Sequence, residues 1–240
     1  MVLSLHRASR VAALLLAAAA GAVLAGCSIT VPDPPPVPTL NAGPTDPPSY
    51  LERLKAAPVV QPTDGVTSTA LPQFISDSRN IACVFTTSQG GNLNQPWEPN
   101  NYGDRANGAA PIIPVTNCLM VSYPQPAPAD IADNCAGTNL GYLGGTALLF
   151  PDRALYGGCR AGVTAMEAAF GVDGTPNPDM DAIPVLASGM AMESQGYRCA
   201  PLDNGVACAN LADGIGFFIA SGKYEIFGPN TQASSTPTAS

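Results

Sequence analysis

The chain has 240 residues, with 10 Lys+Arg against 18 Asp+Glu and a formal charge of −8, a balance that argues against nucleic acid as a partner. Its 24 glycines and 25 prolines are together about double average usage, which suits turns and linkers and disfavours a helical bundle. The one histidine, His6, falls in a segment expected to be removed, which excludes a Ser-His-Asp triad, a Cys-His dyad and any His-ligated metal site.

At the N-terminus, His6, Arg7 and Arg10 form a basic region ahead of an apolar run over residues 11–26. Sixteen residues at 1.5 Å each reach only about 24 Å, short of a hydrocarbon core of roughly 30 Å. The run ends in small residues, as cleaved signals do. Its last residues, Leu24-Ala25-Gly26-Cys27, resemble the bacterial lipobox. That resemblance implies a diacylglyceryl group on the Cys27 thiol and cleavage just before it. Two acyl chains give stable anchoring where one is marginal. The expected location is the outer face of the cell membrane, reached through the lipid.

Residues 27–72 follow as a stalk. Eleven of the 41 residues from Pro32 to Pro72 are proline, and such a stretch is extended and solvated because proline fixes φ and removes a donor. Within it, Ser49 and Glu52 make a capping-box pattern, and Pro58 stops the helix it would start. A helix of two turns is marginal alone, so this one forms only if it docks on the domain. Residues 229–240 make a polar tail without a core residue. The domain is therefore expected over residues 73–228, long enough for one hydrophobic core.

Within the domain, short runs rich in β-formers are bounded by Gly, Pro, Asn or Asp. They predict strands over residues 81–87, 115–123, 146–150, 196–200, 205–209, 215–221 and 224–227. One short helix is predicted from Val163 to Phe170, ended by Gly171. The fold class is mainly β, a small antiparallel disulfide-stapled sheet or sandwich.

Six cysteines remain beyond Cys27: Cys83, Cys118, Cys135, Cys159, Cys199 and Cys208. An even number in an exported domain implies three bridges. One follows from geometry. If Asp203-Asn204 closes a two-residue hairpin, Leu202 faces Gly205, Pro201 faces Val206, Ala200 faces Ala207 and Cys199 faces Cys208. That last pair is a non-hydrogen-bonded one, where side chains come closest. A bulge at Gly205 would shift the register by one. Sequence neighbourhood assigns the others as Cys83–Cys118 and Cys135–Cys159. No Cys-x-x-Cys suggests a redox role.

These residues resemble an actinobacterial family of small secreted proteins and lipoproteins of unknown function. Its ends read Phe-x-Ser-Pro-Ser-Gly-Asn-Ile-x-Cys and Gly-Val-x-Cys-x-Asn-x-x-x-Gly-His-Gly-Phe, then Tyr-x-x-Phe. Here they stand as Phe74 to Cys83, Gly205 to Phe217, and Tyr224 to Phe227. Asp77 and Arg79 replace Pro and Gly, and Ile215 replaces the histidine, so a role for that histidine does not carry over. The resemblance implies a β-rich, disulfide-stapled fold and no particular activity.

Two segments offer candidate sites. The polar stretch from Ser88 to Gly108 holds Trp97, the only tryptophan, with Tyr102, Asp104 and Arg105. Long loops in compact domains are often functional, and aromatic rings beside amides and carboxylates suit a sugar. The other reading is an insertion with Trp97 tucked over the domain. Asp173, Asn177, Asp179 and Asp181 place oxygen donors as calcium loops do, although Ala182 and Ser188 break the EF-hand pattern. No motif asks for a cofactor. The function expected is that of a cell-surface lipoprotein, non-catalytic, binding an envelope glycan or protein or serving as an envelope-structural module. A hydrolase using a carboxylate pair on envelope glycans is the alternative.

Overall fold

A computed structural model describes residues 47–61, 71–98, 102–172 and 174–229. The segment expected to be a signal, Cys27, most of the expected stalk, Asp173 and nearly all of residues 229–240 lie outside the described residues. Among those described, no helix is long and apolar enough to cross a membrane.

Twelve strands form two sheets. The larger contains β1 (Gln73–Ser76), β2 (Ile81–Gln89), β3 (Asn92–Leu93), β4 (Ile112–Met120), β5 (Gly141–Leu149), β6 (Ala154–Arg160) and β7 (Val185–Leu186). Its order is β6-β5-β4-β2-β1-β7, with β3 paired to β2; only the β1–β7 pair is parallel. The smaller contains β8 (Met192–Ser194), β9 (Tyr197–Leu202), β10 (Gly205–Asn210), β11 (Gly216–Ala220) and β12 (Lys223–Phe227), an antiparallel meander. The fold is thus the mainly β, disulfide-stapled class expected.

The sheets meet face to face over one apolar core. Phe74, Phe85, Met120, Leu149 and Tyr156 from one pack against Tyr197, Val206, Phe217, Ile219 and Tyr224 from the other. Many strands are buried on their second face as well, so they read as continuous apolar runs rather than alternations. On the larger sheet, the second face carries Ile75, Ala82, Val84 and Leu119. It is covered by Trp97 and by two short helices, α2 (Ala165–Phe170) and α3 (Pro178–Asp181), through Met166 and Met180. On the smaller sheet, that face carries Ala200, Ala207, Ala209 and Ala220, small enough for a helix to approach closely.

The helix that fills it is α1 (Tyr50–Ala56). Ser49 and Glu52 close both halves of its capping box, and Leu54 is fully buried. Tyr50 stacks on Phe218 with ring centroids 4.4 Å apart. At its C-terminal end, Arg198 donates to the carbonyls of Leu54 and Lys55 (3.2 and 3.0 Å), which supplies charge where the helix leaves acceptors unpaired. The compact unit accordingly includes α1. It takes in residues that composition assigns to the stalk, because docking supplies what a two-turn helix lacks alone.

Strands β2, β4, β5 and β9–β12 occupy the predicted runs. β4 starts three residues earlier than expected, despite Pro114. The Pro114 carbonyl accepts from Tyr197 Oη (2.9 Å), so this residue's ladder groups face away from β2 and its missing N–H costs no strand pairing. The sequence reading did not find β1, β3, β6, β7 and β8. β3 and β7 have two residues each, and β6 carries the glycine pair Gly157-Gly158, which reads as a turn.

All three bridges form as assigned: Cys83–Cys118, Cys135–Cys159 and Cys199–Cys208. The β9–β10 register pairs Leu202 with Gly205, Pro201 with Val206, Ala200 with Ala207 and Cys199 with Cys208. Asp203 and Asn204 take φ of 49° and 60°, the left-handed pair that a type I′ turn requires. Gly205 is therefore an ordinary strand residue and no bulge shifts the ladder.

Candidate functional site

The loop that carries Trp97 is fastened to the larger sheet. Trp97 is 9% exposed, and its Nε1–H donates to Gln73 Oε1 (2.9 Å). Neighbouring side chains knit the same surface. Asn117 Nδ2 donates to Gln95 Oε1 (2.8 Å), and Gln95 Nε2 donates to Glu98 (3.2 Å). Glu98 Oε1 accepts from the Ala165 amide (2.9 Å), the first residue of α2. Tyr102 Oη accepts from Thr87 Oγ1 (2.8 Å), while Asp104 and Arg105 are exposed on a 3-10 turn. Trp97 is therefore buried, while Asp104 and Arg105 are exposed. Burying the indole against Ile75, Val84 and Met166 gains more than presenting it to water, so Trp97 folds over the domain.

Among the described residues of the acidic segment, the donors are spread apart or engaged elsewhere. Asn177 caps α3, its Oδ1 accepting from the amides of Asp179 and Met180 (3.1 and 3.4 Å). Its oxygen is thus engaged by the helix start, as N-cap residues are. Asp179 is exposed, and Asp181 faces Arg79 at 3.9 Å. Among the described residues, the one group with metal-ligand proximity is Cys83, Cys118 and Cys208. Those sulfurs are already bonded in two bridges, one from each sheet, that touch in the core with Cys118 and Cys208 Sγ 3.9 Å apart.

A concavity that sequence reasoning missed lies between α2 and the connection leaving β4. Its volume is about 720 Å³, lined by residues that include Val121, Ser122, Tyr123, Gln125, Val163 and Glu167. Two of its lining side chains, Tyr123 and Glu167, are both tied to Arg160. Tyr123 Oη donates to Glu167 Oε1 (2.8 Å) and accepts from Arg160 Nη2 (2.6 Å). Arg160 Nη2 also donates to the Gly144 carbonyl (2.8 Å) and stands 3.3 Å from Glu167 Oε2. That same Glu167 oxygen accepts from the Thr164 amide (2.7 Å), closing the capping box that starts α2. Burial, then the hydrogen bond to Glu167, pushes the Tyr123 phenol above its usual pKa.

The sheet is deformed to seat this tyrosine. Pairing between β5 and β6 shifts register between Leu143 and Ala147, a bulge of the kind that re-aims side chains near sites. Gly145 sits there at φ +88°, and a Cβ on it would lie 2.7 Å from Tyr123 Cε1. These residues are spread over 121–125, 144–145, 160 and 163–172, so no single motif announces them. The readable signal was Thr164-x-x-Glu167, a capping-box spacing.

A smaller hollow of about 310 Å³ lies beside α1, bordered by residues that include Tyr50, Arg53, Asp203, Glu225 and Phe227. Two Arg53 nitrogens bind both oxygens of Asp203. That hydrogen bonding holds the Asp203 carboxyl below its ordinary range. Comparison with protein-family models, curated proteins and solved structures finds no match to this chain.

Proposed function

We propose that this is a lipid-anchored extracytoplasmic protein whose β-sandwich is a non-catalytic binding or envelope-structural module. One observation carries the reading. Six of the seven cysteines are paired with one another within the domain, and the seventh is Cys27. It stands at the lipobox-like cleavage position. Three bridges also suit an oxidising compartment. Arg79, which stands where the family pattern has glycine, takes φ 54°, a left-handed conformation that favours glycine.

The carboxylates at the two concavities favour a non-catalytic role. Glu167 has both oxygens engaged, in a capping box and with Tyr123 and Arg160. A glycan hydrolase is the alternative, resting on Asp203 and Glu225, which border one hollow. Arg53 keeps the Asp203 carboxyl ionised, so Asp203 does not supply the proton donor that a paired-carboxylate mechanism requires.

Anchoring is tested by Cys27→Ala, comparing membrane and soluble fractions and the intact mass of the parent. The parent is expected in the membrane fraction with a mass increase of one diacylglyceryl group, and the variant is expected without either. A variant that fractionates and migrates like its parent overturns the anchor.

A further inference from the structure

Four features of the cleft beside α2 bear on what it can hold. The first is preorganisation. Tyr123 is clamped through its hydroxyl by Arg160 and Glu167 and flanked by a glycine bulge that admits no side chain. The second is charge. Arg160 and Glu167 lie 3.3 Å apart and neutralise each other, so the cleft selects neither an anion nor a cation.

The third is the remaining polar inventory. Ser122 and Gln125 are exposed and line the cleft, and both are uncharged. Gln125 Oε1 accepts from the Gly144 amide at 3.4 Å, which leaves its NH2 group directed by that contact and able to donate. The Ser122 hydroxyl both donates and accepts. The fourth is the apolar rim. Val163 is 65% and Val172 104% exposed, beside Val121 and Ala168. A volume of about 720 Å³ falls in the range of small-ligand sites.

We propose that this cleft binds an uncharged oligosaccharide. Pyranose rings offer C–H faces to valines and the Tyr123 ring, and hydroxyls to Ser122 and Gln125, without the net charge that this wall cannot answer. A simple acyl chain would leave those polar groups desolvated without partners, which costs binding energy. This assignment rests on the proposed function as a binding module and names its ligand class.

The protein carries its own reporter. Glu98, next to Trp97, holds the first amide of α2, and Trp97 packs with Met166 of that helix. A ligand seated on the other side of α2 is therefore expected to shift the emission of the single tryptophan.

The experiment titrates the detergent-solubilised mature protein with maltohexaose, cellohexaose and mannohexaose, following tryptophan emission and calorimetry. For comparison, oligogalacturonate serves as the charged sugar and decanoate as an acyl chain with a carboxylate head. Saturable binding of at least one neutral hexasaccharide is expected, with the two comparisons inert. Val172→Asp and Gln125→Ala are each expected to weaken it about tenfold. Both side chains are exposed, so circular dichroism should match the parent. No saturable response to any of the three sugars overturns the proposal. So does binding that both variants leave unchanged, or a response to decanoate or oligogalacturonate equal to that of the sugars. A protein that remains lipid-anchored yet binds no sugar loses the cleft assignment alone; failure of the Cys27→Ala test removes the anchor and leaves the cleft to this titration.

Discussion

The two core bridges differ in the length of chain they close, and this makes their removal a quantitative test. Cys83 and Cys118 are 35 residues apart, and Cys199 and Cys208 are 9 apart. All four are fully buried, so replacing either pair by alanine leaves comparable cavities. The difference between the variants then reports the denatured chain. Loop-closure entropy assigns about 3.8 kcal/mol to the longer loop and about 2.6 kcal/mol to the shorter. Cys83→Ala/Cys118→Ala should therefore cost about 1.2 kcal/mol more than Cys199→Ala/Cys208→Ala. At this size that corresponds to a midpoint lower by about 2–5 °C. Urea unfolding of both variants in an unlipidated Cys27→Ala background measures it, with the m-value checked for two-state behaviour. Since Cys118 and Cys208 touch across the sheets, removing both bridges together should depart from the sum of the two. Equal costs, or a larger cost for the hairpin bridge, would refute the argument that the bridges act through the unfolded ensemble.

Other consequences are as direct. Trp97 emission should be blue-shifted and protected from acrylamide, and Trp97→Phe should cost about 1–3 kcal/mol for the lost donor to Gln73; a red-shifted, readily quenched signal would contradict its burial. Gly145→Ala should destabilise by about 1–3 kcal/mol or more, because its φ of +88° and the Tyr123 ring 2.7 Å away oppose a Cβ; unchanged thermal stability would show that the bulge is not needed to seat the tyrosine. Burial pushes the Tyr197 and Tyr224 phenols up to about 12 and the Tyr156 phenol further. Since the folded state holds these protons more tightly, the stability they confer is complete below the unfolded value near 10 and is lost as pH rises through about 12. Phenolate absorbance against pH, with circular dichroism alongside, should show these three ionising only with unfolding; early, reversible ionisation of all seven tyrosines would count against their burial.

Features that depend on a few neighbouring residues were legible in the order of amino acids. The Asp203-Asn204 turn sets the register of β9 and β10, and through it the Cys199–Cys208 bridge, because strand alternation propagates from the turn. Ser49 and Glu52 start α1 for the same local reason, a reciprocal pair of hydrogen bonds three residues apart. The even cysteine complement and the short apolar runs were enough for a stapled β class. Whether α1 docks depended on alanines in β9, β10 and β11, far from Leu54 in the chain. The indole of Trp97 was drawn from a polar loop onto Gln73 and Met166, and Asn177 was taken up by the start of α3 rather than by an ion. The cleft is lined by Tyr123 and Glu167, which meet each other and Arg160, a residue of a third element. Backbone stereochemistry acts over a few bonds and leaves a signature in sequence. Burial and charge pairing act between segments brought together by folding, and take their meaning from neighbours that sequence order does not name.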